Sequence, residues 1–187
     1  SLIFIFFVKI KKLKKQNKDE FRIGLYAAKS DDWRKNMFAQ LSAAKFLKYD
    51  NVVVDMVPLN SDAIAFAKNM NIKLDGLDKP IPREKLIERM GQNDINLYVT
   101  FSECSPMAPL ESFSVDTPCI VGNNHHCFKN TKLQDYLMVN NEASSKSIAE
   151  KIEKCYENKE KVLKLYKEWN KENNKNSKEA VKKFLEM

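Results

Sequence analysis

The chain has 187 residues, long enough to bury a core, and reads as one domain. A hydrophobic share of 43% is ordinary for a globular protein, and a net charge of +7 leaves open either acidic partners or a plain Lys-rich surface. Cys104, Cys119, Cys127 and Cys155 show no CxxC pairing and no dense spacing, which argues against a disulfide scaffold and a structural zinc site and fits reduced cytoplasmic thiols.

Residues 1–20 begin with an apolar run, Ser1 to Val8, and continue into a basic run, Lys9 to Lys18. The apolar run is too short to span a bilayer, which takes about 20 residues. A signal peptide carries its charge before its apolar run, not after it. Residues 1–20 are therefore expected to be the remnant of an upstream segment or interdomain linker in a chain cut from a longer protein. The Lys run offers a peripheral contact with an anionic membrane at its inner face, or is simply solvated.

Phe21 to Ala27 reads as a first strand, with Gly24 allowing close packing. Met37, Leu41, Ala44 and Leu47 recur at the spacing of one helix face, and the helix is expected to end near Tyr49. Asn51 to Met56 is a second strand whose valine run suits burial on both faces. Asn60 or Ser61 caps a helix to about Met70. A short third strand covers Ile72 to Leu74, and Pro82 opens a helix to about Met90. The fourth strand is Ile95 to Phe101. A helix from Pro106 to Val115, a strand from Cys119 to Val121 and a short last strand from Tyr136 to Val139 follow. After Ala143 the chain is helical, with a terminal helix over Lys175 to Leu185. Strands alternating with helices predict a Rossmann-like, doubly wound, mostly parallel α/β sheet over residues 21–187. Ligands of such sheets bind beyond the carboxyl ends of the strands. No G-x-G-x-x-G or Walker loop is present, so dinucleotide and P-loop readings lack a motif.

The stretch ECSPMAPLESFSVDTPCIVGNN lies at that carboxyl end. Ser105 is a good N-cap and Pro106 a good first helical residue. The amides of Met107 and Ala108 would then face the loop region and, with the helix dipole, favour a phosphate. Glu103 precedes the helix and Glu111 lies inside it, so the two can flank one elongated ligand.

This stretch closely resembles the donor-site segment of retaining, family-4-type (group 1) glycosyltransferases of the GT-B fold. Those enzymes carry a Glu-x7-Glu pair here, followed by a Pro-Val-Ile-like strand, in this chain Pro118-Cys119-Ile120. The resemblance covers roughly Phe21 onward and implies the C-terminal, donor-binding domain, half of a GT-B fold, with a helical tail. It implies that Glu103 contacts the donor sugar and that Glu111 binds the ribose hydroxyls. Backbone around Ser105, Pro106, Met107 and Ala108 would hold the diphosphate. Lys35, in Arg34-Lys35-Asn36, matches the family's diphosphate-binding lysine. It would neutralise charge on the leaving group, with Arg34 as a further cation. His125, in the loop after the Cys119–Val121 strand, is either a donor to phosphate or sugar or a packing residue. The family's Arg at the end of the first strand is replaced here by Ala27-Ala28, and its Gly before the strand proline by Asp116-Thr117.

The implied activity is transfer of a sugar from a nucleotide diphosphate sugar with retention. Surface polysaccharide or glycoconjugate assembly is the implied setting. No metal or other cofactor is implied, and the acceptor site would belong to an N-terminal domain of the same protein, leaving this chain alone inactive. A non-catalytic Rossmann-like nucleotide-binding module is the alternative. A nucleic-acid partner is not expected, because the lysine clusters lack aromatic interleaving.

Overall fold

The computed structural model describes residues 19–26, 33–103 and 106–186. The 1–18 run, Ala27, Ala28, Lys29, Cys104 and Ser105 lie outside them.

Five strands form one sheet in which every neighbour is parallel: β1 (Phe21–Leu25), β2 (Val52–Met56), β3 (Lys73–Gly76), β4 (Ile95–Tyr98) and β5 (Cys119–Val121). Their order is β3-β2-β1-β4-β5. The connecting helices are α1 (Met37–Ala43), α2 (Ser61–Asn69), α3 (Arg83–Met90) and α4 (Ala108–Ser114), followed by α5 (Gln134–Leu137), α6 (Ser145–Glu157) and α7 (Lys159–Leu185). The expected Rossmann-like, doubly wound fold with a helical tail is thus present. Strand order reverses between β1 and β4, the position at which doubly wound sheets carry their ligand crevice.

The two sheet faces differ in chemistry. Side chains alternate along a strand, and Ile23, Leu25, Val54, Met56 and Leu97 join the main apolar core with Met37 and Leu41 of α1, Ala63 and Ala67 of α2, and Ile148 and Ile152 of α6. The opposite face, under α3, carries Arg22, Gly24, Asp55, Asp75 and Asn96. Asp55 is fully buried, and its Oδ1 accepts from Arg89 Nε at 2.7 Å while its other oxygen accepts from the Tyr26 hydroxyl. Asn93 Nδ2 donates to Asn96 Oδ1 at 2.9 Å, and Asn96 Nδ2 donates to Ser112 Oγ at 2.7 Å, which ties α4 to β4. Gly24 makes room for this network, because a Cβ there would stand 2.0 Å from Asn96 Oδ1. The valine run of β2 is buried on both faces as expected, but one face is ionic.

The first core also explains the tail. Tyr166 of α7 stacks on Phe113 of α4 with centroids 3.9 Å apart, and Trp169 meets Phe128 edge-on at 5.1 Å. The terminal helix expected over Lys175–Leu185 is the end of this single helix of 27 residues.

The first strand ends at Leu25, α1 gives way after Ala43 to a 3-10 turn, Ala44–Phe46, and the third strand covers Lys73–Gly76, and three larger departures from expectation follow. β4 stops at Tyr98, and Val99 to Phe101 leave the sheet to enter the crevice loop. Tyr136–Val139 is not a strand. Leu133 and Leu137 both seek the core at +4 spacing, so Leu137 N donates to Leu133 O at 3.0 Å in a helical turn, and only Met138 bridges to Val121. The helix expected from Pro106 begins instead at Ala108, behind Met107. A helix capped at Ser105 would need residue 109 to donate to the Ser105 carbonyl, and Pro109 has no N–H. The first available amides, Leu110 and Glu111, both donate to Met107 O at 3.0 Å.

Candidate functional site

The crevice between the β1 and β4 ends gathers two of the expected catalytic side chains. Lys35 closes a 3-10 turn, Trp33–Lys35, that follows the β1 loop, and Glu103 lies in the loop after β4. Their side chains form an ion pair, and Lys35 Nζ also lies 3.4 Å from the Tyr98 hydroxyl. Both members are largely withdrawn from solvent, at 21% and 16% side-chain exposure, so their mutual attraction is screened less than at an open surface.

The backbone beneath this pair is fixed by side chains. Asn36 takes the left-handed conformation at φ 52°, which asparagine tolerates better than most residues, and its Nδ2 donates to Val99 O at 3.0 Å and Glu142 O at 2.7 Å. Gln40 of α1 accepts from Val99 N at 2.8 Å and donates to Lys35 O at 2.8 Å. Phe101 N donates to Arg34 O at 2.7 Å. The loop that bears Lys35 is therefore joined to the loop that bears Glu103. Sequence reasoning passed over Asn36, Gln40 and Tyr98. The signal for Gln40 was there: it sits beside Leu41 on the stripe Met37–Leu41–Ala44 and is itself buried, a polar residue at an apolar position.

Glu111 lies in the first turn of α4 and is only 8% exposed. Its Oε1 accepts from Arg83 Nε at 2.6 Å, so the second expected carboxylate is also cation-paired, by a residue at the start of α3 that the motif did not include. Arg83 itself is mostly exposed at 62% of its side chain. Of the expected diphosphate backbone, Pro106 is buried, Met107 exposed and Ala108 half-buried. With the helix starting at Ala108, the Met107 amide belongs to the N-cap residue and the Ala108 amide to the first helical residue.

His125 is 2% exposed, a buried residue rather than an open ligand contact. Its Nδ1 accepts from Cys127 N at 3.2 Å, while Nε2 has no protein partner. Burial pushes its imidazole below the ordinary value, and the Glu103 carboxylate pulls partly back. That influence places His125 within electrostatic reach of the Lys35–Glu103 pair. Thr100 Oγ1 and Asn124 Oδ1, at the same end of β4 and β5, are likewise buried without a partner. Among the described residues no group of three or more His, Cys, Asp or Glu side chains could hold a metal ion, and no helix is long and apolar enough to cross a membrane.

No protein-family model matches the chain, and no curated protein matches its sequence. Solved structures do match its fold. The catalytic domain of cholesterol-alpha-glucosyltransferase from Helicobacter pylori superposes with a TM-score of 0.63 at 18% identity, over 86% of this chain and 98% of that one. A UDP-forming trehalose-phosphate synthase from Burkholderia xenovorans gives 0.66 at 12% identity, over 90% of this chain and 44% of that one. An E. coli trehalose-6-phosphate structure bound with UDP-2-fluoro glucose gives 0.60 at 13% identity, over 89% and 44%. Identities this low carry the fold alone. The chain has the Rossmann-like domain fold found in these glycosyltransferase structures, of the kind that forms half of a GT-B enzyme, and it spans less than half of the last two chains.

Proposed function

We propose that this chain is the donor-binding domain of a retaining, family-4-type glycosyltransferase that uses a nucleotide diphosphate sugar. The observation that carries the reading is the Lys35–Glu103 pair, held by a joined pair of loops at the point where strand order reverses. A cation set there can neutralise the diphosphate as it leaves, which is the main electrostatic task when a sugar–phosphate bond breaks. The carboxylate beside it can accept from hydroxyls of the departing sugar. Glu111, behind the start of α4, would take the ribose hydroxyls, and the amides of Met107 and Ala108, with the Ser105–Pro106 backbone leading into them, would meet the phosphates. Arg34 would supply a second cation, and His125 Nε2 a donor that reaches the ligand only if the β5 loop shifts. No divalent ion is needed in this scheme, since side-chain cations take its part.

Acceptor recognition would fall to an N-terminal domain of the same protein, and surface polysaccharide or glycoconjugate assembly in the cytoplasm, at the inner face of the membrane, is the proposed setting. Titration calorimetry with UDP, GDP and ADP tests the reading. One of the three is expected to bind, and Glu111→Ala is expected to weaken it about 10- to 100-fold through loss of charge-assisted hydrogen bonds. Absence of binding by all three would remove the reading. Glycosyl transfer by this chain alone would refute its dependence on a separate acceptor domain.

A further inference from the structure

Trp33 is 72% exposed and Phe101 37%, although both sit where a folded domain meets its ligand. Their ring centroids are 6.1 Å apart with an interplanar angle of 30°. The Phe101 N to Arg34 O hydrogen bond at 2.7 Å fixes this pairing from the backbone. Trp33 is two residues before Lys35, and Phe101 two residues before Glu103. Trp33 shares the 3-10 turn Trp33–Lys35 with the cation, and at no more than about 3.3–3.6 Å per residue the Cα atoms of Phe101 and Glu103 are at most roughly 7 Å apart. The same two loops thus present aromatic faces and, beside them, a cation and a carboxylate.

Exposed tryptophan has an apolar body that is unfavourable in water. The neighbouring residues show what would cover it. A protein interface core is depleted in charge, whereas these rings are flanked by Arg34, Ser102, Lys35 and Glu103. A ligand that matches needs one apolar face with hydrogen-bonding groups around its edge. A pyranose ring has that form: axial C–H bonds on one face and hydroxyls at the rim. A nucleobase would stack equally well but would leave the ion pair without hydroxyls to bind.

We propose that Trp33 and Phe101 form an aromatic platform for the C–H face of a hexopyranose whose hydroxyls reach the Lys35–Glu103 pair. This rests on the donor-domain reading. The ring is either the sugar of the donor or the sugar of the acceptor, and the test separates them. Trp33 and Trp169 are the two tryptophans of the chain. In a Trp169→Phe background the emission therefore reports Trp33 alone. The protein is titrated first with UDP, GDP and ADP, then with UDP-glucose, GDP-glucose and ADP-glucose, and finally with methyl α-glucoside in the presence of the nucleotide that binds.

A Trp33 emission shift that needs the sugar-bearing nucleotide assigns the platform to the donor. A shift that needs the glucoside assigns it to the acceptor. In the arm that responds, Trp33→Ala is expected to weaken binding about three- to tenfold and Trp33→Phe to restore most of it, with affinity for the bare nucleotide unchanged. If calorimetry shows nucleotide binding but no sugar ligand moves the Trp33 emission, or Trp33→Ala binds every sugar ligand as wild type does, the platform is refuted while the donor-domain reading stands. If no nucleotide binds, the donor-domain reading falls, and the platform with it.

Discussion

Glu103→Gln would separate the proposed electrostatic role of the site from its proposed sugar contact. The Glu103 carboxylate is paired with Lys35, and both side chains are mostly withdrawn from water. On the proposed reading a diphosphate would have to compete for that ammonium. Glutamine keeps the size and the hydrogen-bonding end but removes the charge, leaving Lys35 with the Tyr98 hydroxyl at 3.4 Å as its neighbour. Exposed pairs contribute roughly 0.2–1 kcal/mol, and breaking a buried one costs about 3–5 kcal/mol. This pair lies between, at about 1–2 kcal/mol, which converts to about 5- to 30-fold. Glu103→Gln is thus expected to bind the bare nucleoside diphosphate that much more tightly, yet to gain less for the nucleotide sugar, whose hydroxyls lose their carboxylate. Lys35→Met should weaken both by at least about tenfold. Calorimetry at low and at molar salt is the assay, and the gain should shrink at 1 M salt, where the Debye length is about 3 Å. Weaker or unchanged nucleotide binding by Glu103→Gln would refute the competition and, with it, the placement of the diphosphate at Lys35.

Arg89→Met removes the cation that holds the fully buried Asp55. It is expected to cost about 3 kcal/mol, or roughly 6–12 °C in melting temperature, and Asp55→Asn in the same background should recover part of that in a thermal melt. His125 is held neutral by burial, so its folded pKa lies below its unfolded one. Below about pH 6.5 the unfolded chain binds the proton first, and stability falls with pH through that window. Urea titrations between pH 7 and 5 should show this dependence weakened in His125→Asn. Burial pushes the thiols of Cys127 and Cys155 up to about 12, and that of Cys119 well above its usual value. An aromatic disulfide reagent at neutral pH should leave these three unlabelled until urea is added, judged by peptide mass mapping.

The fold was legible because its core side obeys simple periods. Ile23 and Leu25, then Met37 and Leu41, then Val54 and Met56 are placed by strand and helix spacing and meet in one core. The ionic face under α3 was not legible, since Arg22, Asp55, Asp75 and Arg89 come from four separate elements and look like ordinary surface charges until the strand order brings them together. The start of α4 was misplaced because Pro106 attracted the assignment, although Pro109 denies that helix its first hydrogen bond. At the site, Glu103, Glu111 and Lys35 could be named from a motif, but their partners could not. Arg83 is 28 residues from Glu111 and Tyr98 is 63 from Lys35, distances no local pattern spans.

The geometry of the site follows from a backbone shortage. β4 ends at Tyr98, so the Val99 N–H and C=O have no strand to pair with, although Val99 is fully buried. An unpaired buried backbone group costs about 1–3 kcal/mol, so both must find partners. Gln40 supplies the acceptor and Asn36 the donor, both from the segment that bears Lys35. Side chains of the β1–α1 connection thus continue the sheet where the strand has left off. The price of that substitution is an asparagine in the left-handed region and a glutamine in an apolar stripe. What results is a cation and a carboxylate, from the segments that follow β1 and β4, held as an ion pair. Charge stabilisation is most effective when the groups need no reorganisation during the reaction, and here the supporting bonds to Val99 and Phe101 do that positioning. On the proposed donor-domain reading, Gln40 and Asn36 would therefore serve the site as much as the fold.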